Sequence, residues 1–356
     1  MTGVARAALI GAGAGARRVL LPGLTALDSV ELVAVCDIDQ GTARAVAEPL
    51  RIPAYCDAAA MLDQEQPDLV VIATPPMTHY QLCQLGLAHG CHVFCEKPFV
   101  SSVAEADAII RTAKDLGLHV GVNNQYYQMP IFQALAQELR RERAGRLFHV
   151  AAWQHMLLLP EAEMGWKAAL SPRRVLYEFG THVVDLMCRF FGDYPQGVTA
   201  QIAEVRPDLD ADVCVVVRLD FPGRRVASMA FNRMSHAPNR YLEMRLDCER
   251  ESLRASLGGI GRIGLEWNAE RRRPRFRFSL TKGGEARREH AGRSSRLCRQ
   301  GPDCYGVAGM AHLSEFIDRV QSGVDPSPAM AHAREVLRVV LTAYEAATEG
   351  GTMVRL

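Results

Sequence analysis

The sequence predicts an α/β fold in two parts: a doubly wound parallel sheet over residues 1–123, and an α+β domain with a large, mainly antiparallel sheet over residues 124–356. Three observations carry this expectation. Up to residue 123, short apolar runs alternate with stretches of helix-forming composition. Beyond it, strand-like runs follow one another with few helices between them. A glycine-rich turn separates the first run from the first helical stretch. The 356 residues suffice for two sizeable cores.

In order, strands are expected at 7–10, 32–36, 69–73, 92–95 and 119–122, with helices around 15–27, 41–49, 78–89 and 102–116. These strands are continuously apolar rather than alternating, as in a parallel sheet covered on both faces. After residue 124 a helix near 129–143 leads into a long strand at 147–155, and a second helix is expected near 174–191. Strand-like runs follow near 197–205, 212–221, 225–233, 240–247 and 274–280, and two helices near 305–322 and 329–348 close the sequence.

Composition excludes several classes. The formal charge of +1 gives no global attraction to nucleic acid or anionic membrane. The first apolar stretch is broken by glycines and by Arg17-Arg18, so neither a signal peptide nor a membrane span is expected. The ten cysteines lie mostly inside apolar runs and form no C-x-x-C pair. They read as reduced, buried thiols suited to the cytoplasm, and no metal site is expected.

The glycine-rich turn runs Gly11-Ala12-Gly13-Ala14-Gly15-Ala16. Gly11, Gly13 and Ala16 satisfy the G-x-G-x-x-G/A pattern of Rossmann dinucleotide sites, where the backbone approaches a pyrophosphate. Asp37 ends the second strand about 20 residues later, where a carboxylate meets the adenosine ribose. Ile38 and Asp39 follow it with no arginine, so a 2′-phosphate would meet negative charge and NAD is expected over NADP. Arg17 could assist a phosphate or simply face solvent. Thr74-Pro75-Pro76 stops a strand at the edge where ligands bind, with His79 just beyond it, either near the cofactor or merely beginning a helix.

Chemistry-bearing residues cluster twice. Lys97, in Glu96-Lys97-Pro98, is one of four lysines among 41 basic residues. Unlike arginine, lysine can give up its proton. It follows the apolar run 91–95, where a buried strand would open into a site. Glu178, His182 and Asp185 stand at i, i+4 and i+7, which places them on one helix face. A histidine flanked by two carboxylates has a raised, tunable pKa and a fixed ring, as an acid/base needs; the same pattern also describes a buried polar cluster. With His182 as its one nitrogen ligand, this face does not suit a metal.

Glu96-Lys97-Pro98, the Gly11 turn, Thr74-Pro75-Pro76 and the Gly180-Thr181-His182-Val183-Val184-Asp185 stretch occur in the order of the glucose–fructose oxidoreductase, inositol dehydrogenase and rhizopine-catabolism (Gfo/Idh/MocA) family, which the sequence resembles over nearly its whole length. Tyr127-Gln128-Met129-Pro130 and Gly145-Arg146-Leu147 belong to the resemblance. It implies a Rossmann domain followed by an open-faced sheet domain that serves oligomerisation, hence a homo-oligomer, dimer or tetramer. It also implies a catalytic set of Lys97 at the reacting oxygen, His182 as acid/base, and Glu178 and Asp185 orienting it. The Lys-Pro bond is often cis in the family. The expected cofactor contacts are Gly11, Gly13, Gly15, Ala16, Arg17, Asp37, Thr74, Pro75, His79, Glu96 and Lys97. Substrate contacts are expected from Lys97, Asn124, Tyr127, Trp166, Arg173, Arg174 and His182.

Two departures stand out. Glu178 replaces a common aspartate, and the usual glycine-rich turn before the helix is Pro172-Arg173-Arg174. The arginines either face solvent or hold an anionic group. From Arg271 to Arg299 there are 11 Lys/Arg and 2 Asp/Glu. This reads as a solvated strand face with a flexible loop after it, or else as a lip for anionic substrates, rather than a nucleic-acid surface. The expected function is an NAD(H)-dependent oxidoreductase acting on a secondary alcohol or ketone of a sugar, cyclitol or related polyol. The alternatives are transient oxidation by tightly held NAD without net redox, and a non-catalytic dinucleotide-binding regulator.

Overall fold

The computed structural model of the chain describes residues 3–157, 173–205, 211–237, 239–258, 260–268, 273–281 and 283–356. The first six strands are β1 (Ala5–Ile10), β2 (Val30–Cys36), β3 (Ala54–Tyr55), β4 (Leu69–Ile72), β5 (His92–Glu96) and β6 (Val120–Asn123). They form one parallel sheet in the order β3-β2-β1-β4-β5-β6. Strand order reverses between β1 and β4, and ligands bind at such a switch point in doubly wound sheets. The glycine turn after β1 and the Thr74 loop after β4 both open there.

Helices α1 (Ala14–Val19), α2 (Leu21–Ala26), α3 (Gln40–Leu50), α4 (Ala58–Glu65), α5 (His79–Ala88) and α6 (Val103–Leu116) connect these strands. Asp39, Asp57 and Ser102 cap α3, α4 and α6 by accepting from the amides of Thr42, Ala60 and Glu105. The single helix expected over 15–27 is two helices: Pro22 sits in the first turn of α2, where its missing N–H favours a new start over a continuation.

The second sheet has nine strands: β7 (Leu147–His155), β8 (Gly197–Ile202), β9 (Cys214–Phe221), β10 (Arg225–Asn232), β11 (Arg240–Cys248), β12 (Ser252–Leu257), β15 (Gly284–His290), β16 (Arg293–Gln300) and β17 (Val354–Arg355), with β13 (Ile260–Asn268) and β14 (Arg273–Thr281) paired apart as a hairpin. The order is β16-β15-β12-β11-β7-β10-β9-β8-β17, antiparallel except for the β7–β10 pair. Strand β9 shows why one face is covered. Val215, Val217, Leu219 and Phe221 point into the core, while Val216 and Arg218 alternate outward. Helices α7 (Pro130–Arg140), α8 (Thr181–Phe191) and α10 (Ser327–Thr348) supply the apolar partners. The flexible loop expected within 283–299 is instead the β15–β16 hairpin at the sheet edge, turning at Ala291 and Gly292, both with positive φ.

Helix α9 (Cys304–Gln321) lies in the stretch expected to belong to the second domain, yet it packs on the first. Leu313, Phe316, Ile317 and Val320 share a core with Leu9, Leu24 and Phe94. Gly309 permits the approach: a Cβ there would stand 2.2 Å from the Val19 carbonyl oxygen. Among the described residues no helix is long and apolar enough to cross a membrane.

Candidate active site

The nucleotide side is built from backbone. Gly11 has φ +91°, and a Cβ there would stand 2.7 Å from the carbonyl carbon and oxygen of Ala73, so only glycine passes. A Cβ on Gly13 or Gly15 would project into open space, which is room for a ligand to approach the main chain. Asp37 anchors this turn: Oδ2 accepts from the Ala12 amide at 2.8 Å, and Oδ1 from the Asp39 amide at 3.0 Å. Each carboxylate oxygen keeps a lone pair for a ribose hydroxyl. Ile38 beside it is 95% exposed, an apolar side chain left uncovered at the strand end. These features fit a dinucleotide. Arg17, expected near a phosphate, turns back: Nε donates to the Ala12 carbonyl at 2.9 Å and Nη2 to the Thr42 carbonyl at 3.3 Å.

The two loops at the switch point are tied together by His79, which is fully buried at the start of α5. Its Nδ1 lies 2.9 Å from the carbonyl oxygens of both Pro98 and Phe99, and Nε2 lies 2.8 Å from that of Thr74. The Thr74 hydroxyl accepts from Thr78, which also donates to the Pro75 carbonyl. His79 therefore holds loops rather than facing the open turn. The Lys97–Pro98 peptide bond is cis. Glu96 accepts from the Lys97 amide at 3.2 Å and from Asn123 Nδ2 at 2.7 Å, while His312 Nδ1 donates to Asn123 Oδ1 at 3.1 Å. Burial pushes the Glu96 carboxyl pKa up, against the pull of Lys97.

Lys97 Nζ crosses from the first sheet to the second half of the chain and donates to the Glu178 carbonyl at 3.1 Å. An ammonium has three donors, so among the described residues two remain for a ligand. His182, 4% exposed, is the second residue of α8. Burial, and then the nearby Lys97 ammonium, push its pKa well below the ordinary histidine value, so the ring is neutral. This corrects the raised value expected from flanking carboxylates. Residues Leu176–Gly180 form a π turn, whose extra residue changes the angle between Glu178 and His182. Glu178 Oε2 instead meets Arg233 Nη1 at 3.4 Å.

Asp185 likewise serves another partner. Its carboxylate accepts from Arg189 Nε at 3.1 Å and from His332 Nε2 at 2.7 Å, joining α8 to α10. Burial opposes its ionisation, but Arg189 and His332 hold its pKa below the usual carboxylate range. Tyr127 lies under the Arg189 guanidinium, 4.7 Å from ring centroid to Cζ, so it too belongs to that cluster. Its neighbour Tyr126, which no sequence pattern singled out, is the ring stacked on His182, with centroids 3.7 Å apart.

The two arginines differ in their surroundings. Arg173 is exposed, with Cζ 5.7 Å from the Tyr344 ring centroid. The amides of Arg174, Val175 and Leu176 all donate to the carboxylate of Asp212, which also accepts from the Tyr344 hydroxyl. A side-chain anion therefore already occupies that helix start, and Arg174 is buried. Asn124 is buried, its Oδ1 without a partner among the described residues. Trp166 lies outside the described residues. Asp212, just before β9, and Arg233, just after β10, were illegible in the sequence because no local pattern ties these loop positions to α8.

Two family models match: residues 5–124 match the oxidoreductase family with an NAD-binding Rossmann fold, and residues 132–254 match the Gfo/Idh/MocA C-terminal domain. The chain belongs to the Gfo/Idh/MocA family. It is 31% identical over 192 residues to a D-apiose dehydrogenase of Paraburkholderia graminis, covering 53% of this chain and 50% of that protein. The chain thus spans about half the length of that curated relative. Among solved structures, an aldose–aldose oxidoreductase from Caulobacter crescentus complexed with glycerol superposes with a TM-score of 0.81 at 19% identity, over 99% of this chain and 100% of the other. An Agrobacterium radiobacter oxidoreductase solved with NAD+, L-tartaric acid and magnesium gives 0.80 at 20%, over 99% and 98%. At these identities the likeness is one of fold.

Proposed function

We propose that the protein is an NAD(H)-dependent oxidoreductase acting on a secondary alcohol, or the corresponding ketone, of a sugar, cyclitol or related polyol. The observation that carries this reading is that Lys97 Nζ reaches the Glu178 carbonyl, four residues before the buried His182, at the edge of a dinucleotide-fitting sheet. Gly11, Gly13, Ala16 and Asp37 would hold the dinucleotide, and when bound its nicotinamide supplies the hydride acceptor. Among the described residues Lys97 Nζ donates to the Glu178 carbonyl alone, which leaves two N–H groups to hold and polarise the substrate oxygen. His182 Nδ1 is buried without a partner among the described residues, which leaves Nε2 as the nitrogen to meet a substrate. Nε2 would take the hydroxyl proton during oxidation and return it during reduction. The carboxylate of Asp37 disfavours a 2′-phosphate, which supports NAD over NADP. A D-apiose dehydrogenase among the relatives supports a carbohydrate substrate.

Purified protein mixed with NAD and a panel of aldoses, cyclitols and keto sugars should change nicotinamide absorbance with at least one of them. Equal turnover in the wild type, Lys97→Ala and His182→Ala would refute the assignment of roles. Product formed without net NADH would favour transient oxidation instead.

A further inference from the structure

His182 lacks the support that a proton-transferring histidine ordinarily has. Such rings are oriented by a hydrogen bond from their second nitrogen to a carboxylate or carbonyl. Here Nδ1 is buried with no partner among the described residues, and the two carboxylates nearest along the chain are turned to Arg233, Arg189 and His332. What meets the ring is Tyr126, on the single turn that follows β6. The two rings lie 8° from parallel with centroids 3.7 Å apart, closer than most aromatic pairs. Both residues are almost wholly buried.

Tyr126 is itself fixed on several sides. Its hydroxyl donates to the Tyr241 hydroxyl on β11 at 3.1 Å. Its ring runs nearly parallel to Phe132 of α7, with centroids 6.3 Å apart, and edge-on to Phe179 and to Tyr305 of α9. Tyr305 and Tyr241 meet at 90°, and the Arg18 guanidinium of α1 sits 3.8 Å over the Tyr305 ring. The ring beside His182 thus meets β11, α7 and α9, and through Tyr305 it is linked to the helix that follows the glycine turn. Burial pushes the Tyr126 phenol pKa well up, so its hydroxyl keeps the proton it donates.

We propose that Tyr126 is the positioning residue of the site, holding the His182 imidazole in the plane from which Nε2 meets the substrate hydroxyl, by ring stacking in place of a hydrogen bond to Nδ1. This rests on the reading of His182 as proton acceptor. The stack blocks rotation of the imidazole out of its plane and keeps water from that face. Because Tyr126 acts on His182 rather than on the substrate, its loss should lower kcat and spare KM.

The test uses the full chain with histidine labelled for NMR, the His182 ring signal being the one of eleven that disappears in His182→Gln. In the wild type that signal should be shielded by the Tyr126 ring. Tyr126→Phe should keep the shielding and the turnover. Tyr126→Leu should lose the shielding and lower kcat by about tenfold or more, with KM within about twofold; Tyr126→Met carries the same expectation should the leucine variant not fold. An unshielded wild-type His182 signal, or a folded Tyr126→Leu protein with wild-type kcat, overturns the proposal. Absence of turnover with every substrate, together with a shielded signal, refutes the functional reading and leaves the stack standing.

Discussion

The glycine turn after β1 and the polar face of α8 divide the candidate site between them, and they are built in opposite ways. The turn is specified by main-chain requirements. Gly11 adopts a φ closed to other residues against the Ala73 backbone, and Asp37 secures it through amides. The face of α8 depends on side chains from distant elements: Lys97 of the loop after β5, Arg233 after β10, His332 of α10 and Tyr126 after β6. Main-chain demands leave a signature at their own position. A side-chain constellation leaves only an inventory of candidates, whose partners the tertiary structure then chooses.

The sharpest way to separate the two regions is to remove chemistry without touching the fold. Lys97→Ala and His182→Ala should each lower turnover by about 10²–10⁴, with cofactor binding by NADH fluorescence and unfolding by urea little changed. Asp212→Ala comes next. It strands three amides and the Tyr344 hydroxyl inside the protein, so stability should fall by about 3 kcal/mol or more, read from the urea midpoint. Gly11→Ala should abolish NADH binding and cost about 1–3 kcal/mol of stability through backbone strain. If it binds NADH normally, the turn is not the cradle.

The smallest effect is expected from Asp185→Asn. Arg189 and His332 hold the Asp185 pKa below its unfolded value, so its carboxylate contributes stability that is present above the unfolded pKa and lost as pH falls through the folded one. The variant should be less stable than the wild type at neutral pH, with the difference shrinking as pH falls through the folded pKa of Asp185, measured by urea unfolding across that range. A large loss of kcat in this variant would return Asp185 to the catalytic group.

Legibility followed the same division. The parallel strands, Lys97 at the end of β5 and the glycine turn were readable because continuous apolar runs and glycine constraints are local. β3 escaped notice since it is two residues long and has no apolar run. The phase between Glu178 and His182 was misread because a π turn inserts itself where helical spacing was assumed. Tyr126 stood next to the expected Tyr127, and only the packing of α8 against the turn after β6 selects between them. The return of α9 to the first domain depends on Gly309 meeting Val19, a contact between residues nearly three hundred positions apart.

That a neutral His182 faces the Lys97 ammonium is tested most directly by titrating the His182 ring by NMR in the wild type and in Lys97→Met. The expected midpoint in the wild type lies well below the ordinary histidine value of about 6.5, because burial and the ammonium both oppose protonation. It should rise when the ammonium is removed, since burial alone then remains. A wild-type midpoint at or above the ordinary value, or one indifferent to Lys97, would contradict the juxtaposition of the two residues.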